Sequence, residues 1–283
     1  MNADDFGLSP KINRGICEAA KAGAISSISV MANFSYVSDL IAFHKEFPTF
    51  TIGVHLNPIV GCPVLPCRLV PTLVNSDGLF WNKEFSTRLR KNAIQLSELE
   101  NELVAQVTVL QEMGIKLSHL DSHQNEHLRP GYFDIFLRIA RKFGIKKMRN
   151  HQHFICAECD QPLSMTIKYY LRHPYSLLLH RYTRYLMWLA KRRGMLMADR
   201  LISVGHSTGA DLDERWVWEN LLKNLPCGIN ELYCHPGFSD DISRKYDLYR
   251  AGRDRERQIL CSPYFKSLLL KNHVELVSFD CLE

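Results

Sequence analysis

Apolar and polar positions along this chain switch repeatedly between a helical and a strand-like period. After Ser9-Pro10, an N-cap with proline at the first helical position, Ile12, Ile16, Ala19 and Ala20 recur at helical spacing until Gly23. Ile25 to Met31 reads as a strand, and 36–46 as a helix ending before Pro48. Thr51 to Asn57 is a short apolar strand, followed by a proline-rich loop and a turn at Asn75-Ser-Asp-Gly78. Leu99, Leu103, Val107 and Leu110 line one side of a helix over 96–113, which Gly114 closes. Then come a strand at 115–120, a helix at 132–143, a strand at 145–148, and two helices within 164–194 split at Pro174. A strand at 201–204, a helix at 214–225, a strand at 229–234, a helix at 253–271 and a last strand at 274–279 complete the series.

Strands alternating with helices predict a parallel α/β fold, barrel or open sheet. Polar residues recur at the strand ends: Asp4 and Asp5, His55, Asp121 and His123, Arg149, His235. In a β/α barrel that is where active sites gather. No linker or repeat divides the chain. One domain is expected over 1–283, with a basic aromatic helical insert at about 155–200.

Asp4 and Asp5 are adjacent. At a strand end, neighbouring side chains point to opposite faces, so one carboxylate can hold a metal while the other reaches a water. His119, Asp121, His123 and His127 fall within nine residues. Singly, each histidine also reads as a satisfied core imidazole or a solvated loop residue. A carboxylate and imidazoles on separate strand ends make a metal site with open positions.

Four blocks carry a resemblance. Asn2-Ala-Asp-Asp-Phe-Gly7, Gly53-Val-His-Leu-Asn57, His119-Leu-Asp-Ser-His123 and Cys234-His-Pro-Gly237 resemble the signature blocks of the YdjC-like carbohydrate deacetylases, in family order and across nearly the whole chain. That group includes a chitooligosaccharide deacetylase and a hopanoid-biosynthesis-associated branch. The resemblance implies an irregular TIM-type (β/α) barrel, a divalent ion (magnesium or zinc) and hydrolysis of an N-acetyl group from an amino sugar, oligomeric or lipid-linked. By position it implies Asp5, His55 and His123 as ligands, Asp4 as general base, and His235 as proton donor or transition-state stabiliser. Asp121, Arg149, Asn125, His127 and Glu231 are expected around the substrate. Orienting a ligand or capping a loop stays open for Asp121, and salt bridging stays open for Arg149 and Glu231. Another metal-assisted amide or phosphoester hydrolase, or a catalytically idle sugar-binding protein, are the alternatives.

Three departures stand out. Related chains carry apolar residues ahead of the first block; here it starts at residue 2, so the first strand is expected to be nearly absent and Asp4 and Asp5 weakly anchored. Asn125 stands where the family has a further histidine. The 155–200 insert is long and nearer the hopanoid-associated branch.

Composition changes the picture in two places. The 46% hydrophobic and 23% charged content is ordinary for a globular chain, and no apolar run approaches the ~20 residues of a membrane span. The polar, acidic start predicts no signal peptide. Nine cysteines without a framework, Cys156 and Cys159 forming a lone C-x-x-C, favour a reducing, cytoplasmic setting. The net charge of +5 is concentrated: Lys168, Arg172, Arg181, Arg184, Lys191, Arg192 and Arg193 lie in an acid-free stretch with Tyr169, Tyr170, Tyr175, Tyr182, Tyr185 and Trp188. That stretch reads as an outer helical pair with a solvated basic side, or as a segment over 164–194 that contacts the inner membrane face. No nucleic-acid module accompanies it. A homodimer is left open.

Overall fold

The computed structural model describes residues 1–151, 153–154, 171–172, 174–202, 215–246 and 250–283. Its strands are β1 (Asn2–Phe6), β2 (Ser27–Val30), β3 (Thr51–Leu56), β4 (Leu117–Ser122), β5 (Lys147–Met148), β6 (His153–Phe154), β7 (Arg200–Ile202) and β8 (Asn230–Cys234). The helices are α1 (Pro10–Lys21), α2 (Leu40–Glu46), α3 (Phe85–Arg90), α4 (Leu96–Glu112), α5 (Tyr132–Lys142), α6 (Pro174–Arg192), α7 (Arg215–Lys223), α8 (Asp241–Tyr246), α9 (Arg250–Leu260) and α10 (Pro263–Lys271). The strands form one sheet in the order β5-β4-β3-β2-β1-β8-β7-β6. Every pairing is parallel, and the sheet curls into a barrel-like α/β architecture. Leu196, between α6 and β7, makes a parallel bridge to Lys147 on the outer edge of β5.

Alternation along the strands sorts side chains into two layers. Ala3, Ile28, Val30, Ile52, Val54, Leu56, Leu120, Leu232 and Cys234 belong to the continuous apolar core. The alternate positions Asn2, Asp4, Ser29, His55, His119, Asp121 and Glu231 are also buried, but they turn to the other side and bond to one another. Gly53 makes room in that inner layer. A Cβ there would fall 2.3 Å from His119 Nε2, so only glycine leaves space for the ring. His119 stacks on Phe279 at 3.6 Å, and burial presses its pKa down to about 3, so it is a neutral packing group.

The first strand is present, contrary to the expectation. β1 is wholly buried between β2 and β8, because the Asn-Ala-Asp-Asp-Phe block is itself the strand. Ser9 caps α1 as its pattern predicts, accepting from Ile12 N at 3.2 Å. The expected helix over 253–271 is two helices. Ser262 caps a fresh start with Pro263 at its first position, repeating the Ser9-Pro10 signal. The expected strand at 274–279 is absent. β1 and β2 already have neighbours on both sides, so the segment runs across the sheet, taking a hydrogen bond from Ser26 Oγ to Val277 O (2.7 Å) and ending in a short 3-10 turn that seats Phe279. Helices α3 and α8 and the two-residue β6 carry too little periodicity to show in the sequence. Of the basic aromatic insert, residues 155–170 lie outside the described part, and α6 begins at Pro174, where the sequence places a break.

Candidate metal centre at the strand ends

The site begins with an irregularity in β1. Its register against β2 shifts between Ala3 and Phe6, and Asp5 has φ of 70°. A regular strand would send Asp4 and Asp5 to opposite faces. The left-handed residue, tolerated better by aspartate than by most side chains, re-aims Asp5, so that both carboxylates reach one polar cluster.

Asp5 Oδ1 lies 3.3 Å from His55 Nε2 and 3.0 Å from His123 Nδ1. Each of the three residues offers a donor atom within 4.8 Å of the others. His55 comes from the end of β3, and His123 from the turn leaving β4. His55 Nδ1 and Asp121 Oδ1 are 2.8 Å apart, a carboxylate–imidazole contact of the kind that fixes a metal ligand's tautomer and ring orientation. Ser29 Oγ donates to Asp121 Oδ2 at 2.8 Å. The other oxygen of Asp5, Oδ2, accepts from Arg253 on α9.

Asp4 is held separately. Arg149 Nη1 and Nη2 donate to its two oxygens, each at 2.7 Å, and Asn2 Nδ2 donates to Oδ1 at 2.7 Å. The same guanidinium reaches Glu231 through Nε (2.7 Å) and Asp121 Oδ2 through Nη2 (2.8 Å). Arg149 thus ties three carboxylates from β1, β4 and β8 together, the bidentate role that a lysine cannot fill. His235 Nε2 stands 3.9 Å from Asp4 Oδ2, and its side chain is 22% exposed, the most open of the predicted site histidines.

The electrostatics favour a cation. Burial alone would raise the pKa of Asp5, but Arg253, His123 and His55 hold it well below the usual carboxylate range. Burial likewise opposes ionisation of Asp121, and Arg149 and His55 outweigh it. Burial would discharge His55, yet Asp121, Asp5 and Asp4 push its pKa up to about 10. A field that keeps a proton on a buried imidazole will accept a divalent ion in its place, with loss of that proton. His123 Nε2 is also buried without a hydrogen-bond partner among the described residues. The donor set of one carboxylate and two imidazoles therefore fits a divalent metal.

The remaining predicted residues fall elsewhere. His127 is fully buried, its Nδ1 2.6 Å from Ser122 Oγ and its ring stacked on Phe136 at 4.3 Å. Burial presses its pKa down to about 3. Asn125 is half-buried in the turn after His123, with φ of 57°. The groove of about 560 Å³ between α4 and the 64–69 loop contains none of the site residues.

The sequence reading placed a helix over this stretch but missed that α9 reaches the site. Besides the Arg253 guanidinium on Asp5, its Arg253 carbonyl accepts from Gly237 N (3.3 Å), and Glu256 Oε2 accepts from His235 N (2.7 Å). Burial raises the Glu256 pKa to about 7. Arg253 and Glu256 continue the buried side occupied by Ile259 and Leu260, an i, i+3, i+6/7 stripe disguised by its charges. On the other flank, Gly15 of α1 presses against the His-Pro-Gly turn; a Cβ there would meet Gly237 Cα at 2.4 Å.

Comparison with known proteins settles the relationship. The family model described as YdjC-like protein matches residues 1–271. The chain belongs to the YdjC-like family. It is 35% identical over 285 residues to a carbohydrate deacetylase of Brevibacillus brevis, covering 99% of this chain and 97% of that one. It is 28% identical over 289 residues to a carbohydrate deacetylase of Enterococcus faecalis, covering 100% and 97%. A crystal structure from E. faecalis, described as that of a cellobiose-phosphate cleavage protein, superposes with a TM-score of 0.77 at 25% identity over 99% of this chain and 96% of that one.

Proposed function

We propose that this YdjC-like protein is a metal-dependent carbohydrate deacetylase that hydrolyses the N-acetyl group of an amino sugar. The observation that carries the reading is the meeting of Asp5, His55 and His123 within ligand distance, beside an Asp4 that faces His235. The names of the relatives support the substrate class.

Asp5, His55 and His123 would hold the divalent ion, which when bound polarises an acetyl carbonyl and acidifies a water. Asp4 serves as the base for that water's proton. Arg149 grips both of its oxygens and fixes their direction, a pre-organised arrangement that a free aspartate would lack. His235, partly open to solvent, delivers a proton to the departing amine. Asp121, Arg149 and Glu231 are buried and bonded to one another or to the histidines, so they act as positioning residues rather than sugar contacts. His127, walled in by phenylalanines, has a packing role, while Asn125, half-buried in the turn after His123, is assigned to the substrate side.

The test is acetate release from a panel of N-acetylated saccharides after removal of metal by chelation and reloading with magnesium, zinc, cobalt or nickel. Reloading restores release, and Asp5→Asn and His123→Ala abolish it. Full deacetylation by either variant would sink the assignment. The description of the E. faecalis structure favours a second reading, cleavage of a phosphorylated saccharide on the same ligands. Product analysis separates the two.

A further inference from the structure

We propose that the outward side of α6 docks the protein on an anionic lipid bilayer. The helix sorts its residues sharply. Thr183, Leu186, Met187 and Ala190 are buried against the rest of the protein. The opposite side presents Leu177, Leu178, Arg181, Arg184, Tyr185 and Trp188 at helical spacing, all solvent-facing. An ordinary surface helix would place polar or mixed-sign residues there. Instead Leu178 is 65%, Tyr185 54% and Trp188 50% exposed.

The cations match one kind of partner. From Gln161 to Ala198 the sequence has no acidic residue. Tyr185 and Trp188 stack at 5.9 Å, and the Arg192 guanidinium lies 5.1 Å from the Trp188 ring. Aromatic rings flanked by arginines suit the headgroup level of a membrane, where the ring body meets acyl chain and the guanidinium meets phosphate. Bare polyanions would gain little from the leucines, and an apolar protein groove little from the arginines; an anionic bilayer rewards both. No described helix is long and apolar enough to cross a membrane, so α6 would lie in the interface plane. The helix also adjoins the site. Met187 Sδ, on the buried side of α6, accepts from His151 N, two residues beyond Arg149.

The experiment is co-sedimentation of the full chain with phosphatidylcholine vesicles, with and without about 30% phosphatidylglycerol. The bound fraction should rise about tenfold on the anionic vesicles at about 0.05 M salt and fall back at about 0.5 M. Arg181→Glu with Arg184→Glu, and separately Tyr185→Ser with Trp188→Ser, should each lower binding about tenfold with unchanged thermal melting. Equal binding to neutral vesicles, or wild-type binding by both double variants, overturns the proposal. So does gel filtration showing a dimer that Trp188→Ser dissolves, since a second copy would then cover this side. The readout uses no turnover, so its failure leaves the deacetylase reading untouched, and the reverse holds.

Discussion

Strands β1 to β4 run four to six residues each, while β5, β6 and β7 run two or three. The long-stranded side holds Asp4, Asp5, His55 and Asp121 within the strands themselves, each of which has a strand on both sides. The short-stranded side contributes residues placed beyond its strands: Arg149 just after β5, and α6 on the outside. Two of the three candidate donors, Asp5 and His55, sit in these strands, and the third, His123, follows directly on β4. The other side supplies a long, adaptable arm that ties the carboxylates together, and a surface.

That contrast can be broken most severely at Arg149, where the two sides join. Arg149→Met leaves Asp4, Asp121 and Glu231 buried without their common cation and should cost about 3–5 kcal/mol in urea unfolding. An Arg149→Met protein within 1 kcal/mol of wild type would show that the two sides do not depend on this link. Next in size is acid sensitivity of the long-stranded side. His119 and His127 have folded pKa values of about 3, against an unfolded value of about 6.5. The unfolded chain therefore binds protons first as pH falls. Their contribution is fully present above about pH 6.5 and is lost progressively from there down to about pH 3, at about 2 kcal/mol per ring by pH 5. NMR titration of the two rings in the folded protein checks this, and either ring titrating near the unfolded value of about 6.5 would contradict it.

Smaller is the effect of Asp121→Asn, which removes the carboxylate that orients His55. Metal affinity by titration calorimetry should fall about 10- to 100-fold. The smallest is Trp188→Ser on the short-stranded side, which should leave stability within about 0.5 kcal/mol because the ring is half exposed and outside the core. A larger loss would mean that α6 packs more of its circumference than its exposure implies.

What could be read from sequence follows the same division. Asp5, His55 and His123 stood out because each lies in a short block at a strand end, and the structure brings them together. Arg253 and Glu256 did not, because a charged helix segment looks solvated until its buried side is traced through Ile259 and Leu260. The polar inner layer was partly legible as alternation in Ser27-Ile28-Ser29-Val30. Parallel strands covered on both faces usually read as continuous apolar runs, so alternation of this kind gives no sign of an internal network. The bulge at Asp4–Asp5 was invisible, since no side-chain pattern announces a left-handed aspartate. The last expected strand failed because sequence period says nothing about whether an edge is vacant.

The place of β1 at the centre of the sheet bears on how the molecule assembles. Its residues are synthesised long before those of β8, one of its two neighbours, which begins at Asn230, and Asp5 finds Arg253 across 248 positions of chain. Closure over such a distance is slow. The nascent acidic strand must wait, half-paired, until the C-terminal part has been synthesised, and any premature stop before α9 yields a polypeptide in which Asp5 has lost the Arg253 guanidinium.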